Sequence, residues 1–326
     1  MTGRAPSLVI VVLDDYQGVA RGLANWDALP GEPQLRFQTR SARSEDELVE
    51  WLRDADVVVA MRERTAFPGR VIERLPRLRL LATTGQRNAA IDLDACRRRG
   101  IVVTGALGGR TGRTGTAETA WALILALTKN VLPSHQALLR GEWQPVLAET
   151  LSGRVLGLAG LGNIGRQMAQ VGRAMGMKVI AWSPHLTQER AQTAGASLVS
   201  CDALFDQSDV LSLHLVLSES TAGLVSAHRL SQMKPGAYLI NTARAGLVDE
   251  LALLDALSQR HIGGAGLDVF WQEPLPKQHP ICRLDNVVLT PHLGYATQEN
   301  LAAFYAGVIE NIGAWIEGRS MLLLDD

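Results

Sequence analysis

The sequence lacks features that mark several specialised classes of protein. Its 326 residues include only three cysteines, Cys96, Cys201 and Cys282, with neither a C-x-x-C spacing nor a histidine-rich neighbourhood. A disulfide-rich secreted scaffold and a structural zinc site are therefore not expected, and no metal site is predicted. We expect the thiols to be reduced, as is usual in intracellular proteins.

An excess of charge of one sign and long apolar runs are also missing. A formal net charge of −1 provides no electrostatic field that would gather nucleic acid or an anionic membrane. No apolar run approaches the length of a transmembrane helix, and the first one ends at Asp14, too early for a signal-peptide core with its cleavage site. The sequence therefore predicts a cytoplasmic protein without nucleic-acid or membrane partners.

The most informative segment that is present is a G-x-G-x-x-G motif. Gly160 permits a tight turn, Gly162 lets the backbone approach a pyrophosphate, and Gly165 lets helix and strand pack closely. The apolar residues 155–159 predict a buried parallel strand before the motif, and Lys178–Trp182 predicts another strand after the helix. This strand–helix–strand context indicates a dinucleotide-binding unit, in which the helix N-terminus faces the phosphates.

Predicted strands and helices alternate along the rest of the chain, which is typical of α/β proteins with parallel sheets. The length fits two domains, and we predict one from residues 1–108 with 297–326 and the other from 109–296.

The glycine-dense segment Gly105–Gly115 is interpreted as a hinge, and Thr116–Leu139 as one long buried helix. The remaining predicted strands are Leu8–Leu13, Val57–Met61, Leu78–Ala82, Ile101–Val103, Val210–Leu213, Tyr238–Asn241, Gly264–Leu267 and Val287–Leu289.

Arg244, Glu273 and His292 each follow a predicted strand, where open α/β sheets bind their ligands. Alone, each has an ordinary structural explanation: a surface ion pair, a solvated loop acid, or a hydrogen-bonded structural histidine. Together they supply what reduction of a 2-oxo acid needs. Arg244 can bind the carboxylate through a bidentate pair of hydrogen bonds, and His292 can donate a proton to the nascent alkoxide. Glu273 is an acid that can orient this donor and favour its protonated form.

The motifs and their order resemble the D-isomer-specific 2-hydroxyacid dehydrogenase family. The matching segments are 157–165 (GLAGLGNIG), 233–237 (MKPGA), 240–244 (INTAR), 267–276 (LDVFWQEPLP), 289–294 (LTPHLG) and, more loosely, 83–85 (TTG) and 90–93 (AIDL). The resemblance implies an α/β fold of two doubly wound parallel-sheet domains, with a Rossmann dinucleotide-binding domain inserted into a flavodoxin-like substrate domain. It also implies a homodimer.

The resemblance further implies hydride transfer between NAD(P)H and the carbonyl group of a small 2-oxo acid. The family's catalytic set falls on Arg244, Glu273 and His292. Substrate binding falls on Arg244 and on the backbone N–H groups of Gln86 and Arg87. Cofactor binding falls on Gly160, Gly162, Asn163, Ile164, Gly165, Ser183, His214, Thr242 and Asp268, the last of these on the side of the nicotinamide carboxamide.

One departure from the family concerns the choice of cofactor. NAD-specific members usually have an acid at the end of the second strand of the nucleotide-binding unit, where it binds the ribose 2′-hydroxyl. Here the residue is Ser183, which cannot repel a 2′-phosphate, and Arg190 or His185 could assist that phosphate. The cofactor is therefore NAD or NADP, with NAD slightly favoured by the family at large.

The sequence also leaves more than one possibility open for the substrate and for the activity. Arg62, Arg64 and Arg87 could add a cation that selects a phosphorylated or dicarboxylic substrate, or they could be surface groups paired with acids such as Glu63. Hydroxypyruvate, glyoxylate and bulkier 2-oxo acids all fit the motifs. A nucleotide-sensing protein similar to transcriptional corepressors of this fold, and an enzyme similar to phosphite dehydrogenase, are the alternative functions.

Overall fold

The computed structural model describes residues 7–109 and 112–324, which form two compact units. The first unit is Met1–Gly112 with Thr297–Asp326, and the second is Arg113–Ala296. Within the described part of the chain, every helix is too short or too polar to cross a membrane.

Strands and helices alternate through both units. The strands are β1 Val9–Val12, β2 Gln34–Phe37, β3 Val57–Ala60, β4 Leu80–Thr84, β5 Val102–Ala106, β6 Val155–Ala159, β7 Lys178–Trp182, β8 Ser197–Leu198, β9 Val210–Leu213, β10 Tyr238–Asn241, β11 Gly264–Leu267 and β12 Val287–Leu289. The helices are α1 Ala20–Leu23, α2 Glu45–Leu52, α3 Gly69–Ile72, α4 Leu93–Arg98, α5 Gly112–Thr128, α6 Val131–Leu139, α7 Asn163–Ala174, α8 Gln188–Thr193, α9 Cys201–Gln207, α10 Ala227–Gln232, α11 Glu250–Ser258 and α12 Gln298–Ile316. Short 3₁₀ helices occupy Trp26–Ala28, Ala245–Leu247 and Pro280–Arg283.

The first unit is built on a parallel sheet of five strands in the order β2-β1-β3-β4-β5. Strands β1 and β3 consist almost entirely of valine and isoleucine and are fully buried, as expected of central strands covered on both faces. Helix α12 packs against β4, β5 and α1. The strand order is that of flavodoxin-like folds.

The second unit is built on a parallel sheet of seven strands in the order β12-β11-β10-β9-β6-β7-β8. This is the doubly wound Rossmann order with one further strand at the β12 edge. The chain runs outward from β6 to β8 and then returns to β9 beside β6, which creates the topological switch point where such sheets bind ligands. The predicted fold class is confirmed.

Some local predictions were wrong. The segment Thr116–Leu139 is not one helix, because Asn130 takes a left-handed conformation (φ 50°, ψ 41°) that separates α5 from α6. Asparagine tolerates this conformation, and Pro133 in the first turn of α6 fits a helix start.

The predicted hinge at Gly105–Gly115 is also shorter: its first two residues end β5 and its last four begin α5, while residues 110–111 lie outside the described residues. Strand β2 was not predicted.

Candidate active site

The polar segments that the sequence singles out in the second unit lie where the strands of its sheet end, on the side that we call the carboxyl edge. The strands β6, β7, β9, β10, β11 and β12 are parallel, so the residues that follow them share the carboxyl edge. Loops at this edge carry side chains whose backbone positions are fixed by the buried strands beneath them. The edge is therefore the candidate site of this unit.

In the glycine turn after β6, the conformation of Gly160 and the close approach at Gly165 are those that glycine allows. Gly160 has a φ of 103°, and a Cβ there would lie 2.7 Å from the carbonyl oxygen of His214. A Cβ on Gly165 would overlap the carbonyl oxygen of Gly160, so only glycine lets α7 approach the turn this closely. Gly162 caps α7 and faces open space, with no atom of the described residues within 4 Å of a Cβ placed there. The exposed start of α7 includes Asn163 and the half-buried Ile164.

Ser183 directly follows β7 and is half-buried. Its carbonyl oxygen accepts a hydrogen bond from the backbone of Leu186, which closes the turn into α8. The guanidinium of Arg190 donates to the carbonyl oxygen of His185 at 3.2 Å. The cation of Arg190, a residue of α8, therefore contacts the backbone of the turn that begins at Ser183.

His214 directly follows β9 beside the glycine turn. Its Nε2 lies 2.9 Å from the Ser212 hydroxyl, and burial lowers the pKa of the imidazole to about 4. The ring is therefore neutral at physiological pH and fits a packing and hydrogen-bonding role at this edge. Its backbone N–H donates to the Ala159 carbonyl, which joins the ends of β9 and β6.

The lowered pKa of His214 makes stability dependent on pH. In the unfolded chain the imidazole titrates near 6.5, whereas in the folded protein it takes up a proton only near pH 4. The unfolded state thus binds more protons between these values, so the free energy of unfolding falls as the pH falls from about 6.5 to about 4, by at most about 3 kcal/mol. Urea unfolding at pH 7 and pH 4.5 measures this loss, and it should be smaller in His214→Asn. His228→Asn, at an exposed position on α10, is the control and should keep the wild-type pH dependence.

The segment after β10 positions Thr242 and Arg244. The Asn241 side chain accepts from the Ala243 backbone at 3.0 Å and donates to the Arg244 carbonyl at 3.0 Å, which fixes the turn. The Arg244 guanidinium is half-buried and donates to the Ala243 carbonyl at 2.8 Å. Thr242 is buried, and its hydroxyl finds no hydrogen-bond partner among the described residues.

Asp268, at the end of β11, organises the loop that carries His292. Its carboxylate accepts hydrogen bonds from the Thr290 hydroxyl (2.5 Å) and from the backbone N–H groups of Leu293 (2.7 Å) and Gly294 (2.8 Å). Burial raises the pKa of this carboxyl group, and the three hydrogen bonds oppose the rise. The sequence did not predict this contact between the β11 and β12 loops.

His292 and Glu273 form a close pair at the same edge. The Nδ1 of His292 lies 2.7 Å from Oε2 of Glu273, and about a quarter of each side chain is exposed (24% and 27%). The other carboxylate oxygen of Glu273 accepts from the Phe270 backbone at 2.9 Å. His292 has a φ of 55°, an uncommon conformation held by the Asp268 contacts to the next two residues, and its ring packs edge-on against Tyr295. The Nε2 of His292 is thus the ring nitrogen left to face a ligand.

The first unit carries the other predicted ligand-binding residues, in the turn after β4. Gln86 and Arg87 are exposed, and their backbone N–H groups make no hydrogen bond among the described residues. Buried Asn88 holds the turn by donating to the Thr83 hydroxyl at 2.9 Å. Its sequence signal is an asparagine just after a strand, which also fits an ordinary turn.

The two arginines that follow β3, Arg62 and Arg64, contact different parts of the first unit. The guanidinium of Arg62 lies 2.8 Å from the position of a Cβ on Gly85, at the start of the β4 turn, and its Nε is 3.7 Å from a Glu63 oxygen. The guanidinium of Arg64 instead stacks on Tyr16 at 4.7 Å and donates to the Asp14 carbonyl. Arg62 is therefore the one that borders the turn with Gln86 and Arg87.

The second unit fits a bound dinucleotide. Gly162 leaves open space at the start of α7, where backbone N–H groups can meet a pyrophosphate. The buried Thr242 hydroxyl, which the described residues leave without a partner, supplies a polar contact on the other side of the switch point. In the described ranges no group of three or more His, Cys, Asp or Glu side chains could hold a metal ion.

Sequence comparison connects the chain to known proteins. Residues 121–294 match the sequence model of the D-isomer specific 2-hydroxyacid dehydrogenase, NAD binding domain. The chain is 35% identical over 290 residues to D-3-phosphoglycerate dehydrogenase of Synechocystis, covering 87% of this chain and 52% of that protein. It is 37% identical over 258 residues to glyoxylate reductase of Aeropyrum pernix, covering 76% of each. The chain thus spans about half the length of the phosphoglycerate dehydrogenases that it matches.

Structural comparison agrees with the sequence matches. The crystal structure of phosphoglycerate oxidoreductase from Vibrio cholerae superimposes with a TM-score of 0.88 at 35% identity. The superposition covers 95% of this chain and 99% of that one. The similarity therefore extends over both units of the chain.

Proposed function

The chain belongs to the D-isomer specific 2-hydroxyacid dehydrogenase family, and we propose that it transfers a hydride between NAD(P)H and the carbonyl carbon of a small 2-oxo acid. The observation that carries the proposal is the 2.7 Å contact between His292 and Glu273 at the carboxyl edge of the dinucleotide-binding sheet. A histidine held by a carboxylate at this position is suited to exchange a proton with a substrate oxygen.

In the proposed reaction His292 gives a proton from Nε2 to the substrate oxygen that becomes the hydroxyl group. Glu273 bonds the opposite ring nitrogen, which orients the imidazole and leaves Nε2 as the nitrogen that faces the substrate. The Phe270 backbone holds the other oxygen of Glu273, so the carboxylate cannot rotate away from the ring without losing a hydrogen bond. The pair is thus ordered before substrate binds, which lowers the cost of reaching the reactive geometry.

We propose that Arg244, in the second unit, binds the substrate carboxylate. In the first unit, considered by itself, we propose that the backbone N–H groups of Gln86 and Arg87 bind substrate. A guanidinium can bind a carboxylate through two parallel hydrogen bonds, which fixes the plane of the substrate. The unbonded N–H groups of the β4 turn are further donors for an anion. We propose on the same grounds that residues 1–108 with 297–326 are the substrate domain and 109–296 the dinucleotide-binding domain.

The cofactor is NAD or NADP, and when bound it supplies the hydride and the flat ring that the substrate faces. We propose that Gly160, Gly162 and Gly165, with Asn163 and Ile164, receive the pyrophosphate. The remaining contacts are assigned to Ser183, His214, Thr242 and Asp268. Position 183 carries a serine and not an acid, and the guanidinium of Arg190 contacts the nearby His185 carbonyl, so we propose that a 2′-phosphate is accepted as well as a 2′-hydroxyl.

A reduction screen tests the proposed function. Purified protein is mixed with NADH or NADPH and a panel of 2-oxo acids that includes glyoxylate, hydroxypyruvate and bulkier, dicarboxylic and phosphorylated members, and absorbance at the reduced-nicotinamide band is followed. We expect cofactor oxidation that depends on the 2-oxo acid. Tight cofactor binding without turnover on any member would instead favour a nucleotide sensor, and NAD reduction by phosphite would favour that alternative enzyme.

We also propose that the protein is a homodimer and works in the cytoplasm. Apolar side chains are exposed along α6 and the segment after it, which is unusual for a surface in contact with water only. They are Val131 (49% exposed), Leu132 (50%), Leu138 (57%), Leu139 (70%), Trp143 (79%) and Leu147 (91%). Light scattering should give twice the chain mass, and a monomer mass at micromolar concentration would contradict the dimer. The cytoplasmic location rests on the reduced state expected of the cysteines.

A further inference from the structure

The loop between β11 and the 3₁₀ helix Pro280–Arg283 carries Glu273, and its conformation sets where the carboxylate lies. Glu273 is tied to the loop itself, since it accepts from the Phe270 backbone at 2.9 Å. Any shift of residues 270–272 therefore moves the carboxylate relative to His292. What fixes these residues bears directly on the proposed proton transfer.

Trp271 attaches this loop to the start of α11. Its indole N–H donates to the Val248 carbonyl at 3.0 Å, and its ring lies nearly parallel to that of His279, with an interplanar angle of 9° and centroids 6.4 Å apart. The sequence left open whether this tryptophan lines a ligand pocket or packs. The structure gives it a packing and hydrogen-bonding role two residues before Glu273.

His279 makes a second attachment to the same helix start. Its Nδ1 accepts from the Ile281 backbone at 3.2 Å, so Nε2 is the ring nitrogen that donates to Oε1 of Glu250, at 2.7 Å. The side chain is only 12% exposed. Tryptophan, histidine and glutamate thus form one connected group, which we name the brace: Trp271, His279 and Glu250.

The brace ends on the segment that also carries Arg244. Residues 245–247 form the 3₁₀ helix directly after Arg244, and Val248 and Glu250, which receive the two hydrogen bonds of the brace, come next. This segment is itself anchored, because Asp249 donates its backbone N–H to the Val225 carbonyl at 3.0 Å. The brace therefore links the turn that presents Arg244 to the loop that presents Glu273.

We propose that the residues of the brace are positioning residues. They fix the position of Glu273, and through it that of His292, relative to Arg244. This inference rests on the proposed function. None of the three side chains needs to contact substrate or cofactor for this role. Small displacements of reacting groups reduce rates strongly because the reactive geometry is narrow. Loosening the brace should therefore slow the chemical step while leaving the binding of the dinucleotide nearly unchanged.

Single-residue variants of the 326-residue chain test the role. Trp271→Phe keeps an aromatic ring, smaller than the indole, and removes the N–H donor, and Glu250→Ala removes the acceptor of His279. We expect kcat to fall about tenfold to a hundredfold in each, with the dissociation constant of NADH or NADPH, measured by fluorescence, changed less than about twofold. Glu250→Gln keeps an acceptor oxygen for His279 and should recover most of the lost kcat. Asp285→Asn, which alters the exposed Arg260–Asp285 pair beyond the other end of α11, is the control and should keep the wild-type kcat.

Amide hydrogen exchange gives a readout that does not depend on turnover. The Phe270 N–H, which donates to Glu273, should exchange faster in Trp271→Phe and Glu250→Ala than in the wild type or in Asp285→Asn. Unchanged exchange at Phe270 would overturn the brace, whatever the activity of the protein. A wild-type kcat in both variants, with only the melting temperature lowered, would also overturn it. A wild-type protein that reduces no 2-oxo acid would instead contradict the proposed function.

Discussion

His292→Asn should lose about 10²- to 10⁴-fold in kcat for reduction of the 2-oxo acid, since general acid catalysis contributes about this factor. Asparagine is the suitable replacement because it tolerates the positive φ of 55° at this position, so the loop keeps its conformation. Its amide can hydrogen-bond to the substrate oxygen but cannot give up a proton at neutral pH. Stopped-flow measurement of the hydride-transfer step at saturating cofactor isolates this effect from product release.

The matched control is His228→Asn, which changes an exposed histidine of α10 and should leave kcat unaltered. The dissociation constant of the cofactor should also be unaltered in His292→Asn, because the residue is assigned to the substrate side. A His292→Asn protein with more than about a tenth of the wild-type kcat would contradict the assignment of His292 as the proton donor.

Arg244→Lys should lower kcat/KM about 10²-fold or more despite keeping the positive charge. The guanidinium is planar and presents two parallel donors, whereas an ammonium group is a point charge that cannot fix the plane of a carboxylate. The reacting carbonyl is attached to that carboxylate, so loss of orientation affects the chemical step as well as binding. Steady-state kinetics should therefore show both a higher KM and a lower kcat.

Arg260→Lys provides the comparison, since Arg260 is an exposed arginine whose guanidinium pairs with Asp285. The same conservative change there should leave both kinetic constants as in the wild type. If Arg244→Lys kept the wild-type kcat/KM, charge alone would suffice and the two-pronged grip assigned to Arg244 would be wrong.

The elements that the sequence predicted well are those with a strong local signal. The strands β9, β10, β11 and β12 begin and end as predicted, because short apolar runs bounded by polar residues are typical of buried parallel strands. Strand β2 was not predicted, although its residues Gln34–Phe37 alternate in polarity, which is the pattern of a half-buried strand at the edge of a sheet. The break at Asn130 was missed because the apolar pattern continues across it, although asparagine followed by proline three residues later favours a helix end.

The sequence also predicts which types of residue form the candidate site, and their catalytic roles stay predictions. Glycines at 160, 162 and 165, and an arginine, a glutamate and a histidine after successive strands, predicted a dinucleotide site and a 2-oxo acid reductase. Local sequence can do this because the carboxyl ends of parallel strands necessarily share one edge.

What only the tertiary structure decided are the contacts between loops that are distant in sequence. Three such contacts join different loops. They are the 2.7 Å contact between His292 and Glu273, the hydrogen bonds that Asp268 accepts from the loop of His292, and the hydrogen bond from Trp271 to the segment after Arg244. Their geometry depends on how long each loop is and how it packs, which periodicity and composition do not encode. The sequence by itself determined the fold class and the kinds of reactive group, because burial patterns and glycine conformations are local properties. The distances and orientations between those groups were decided by packing.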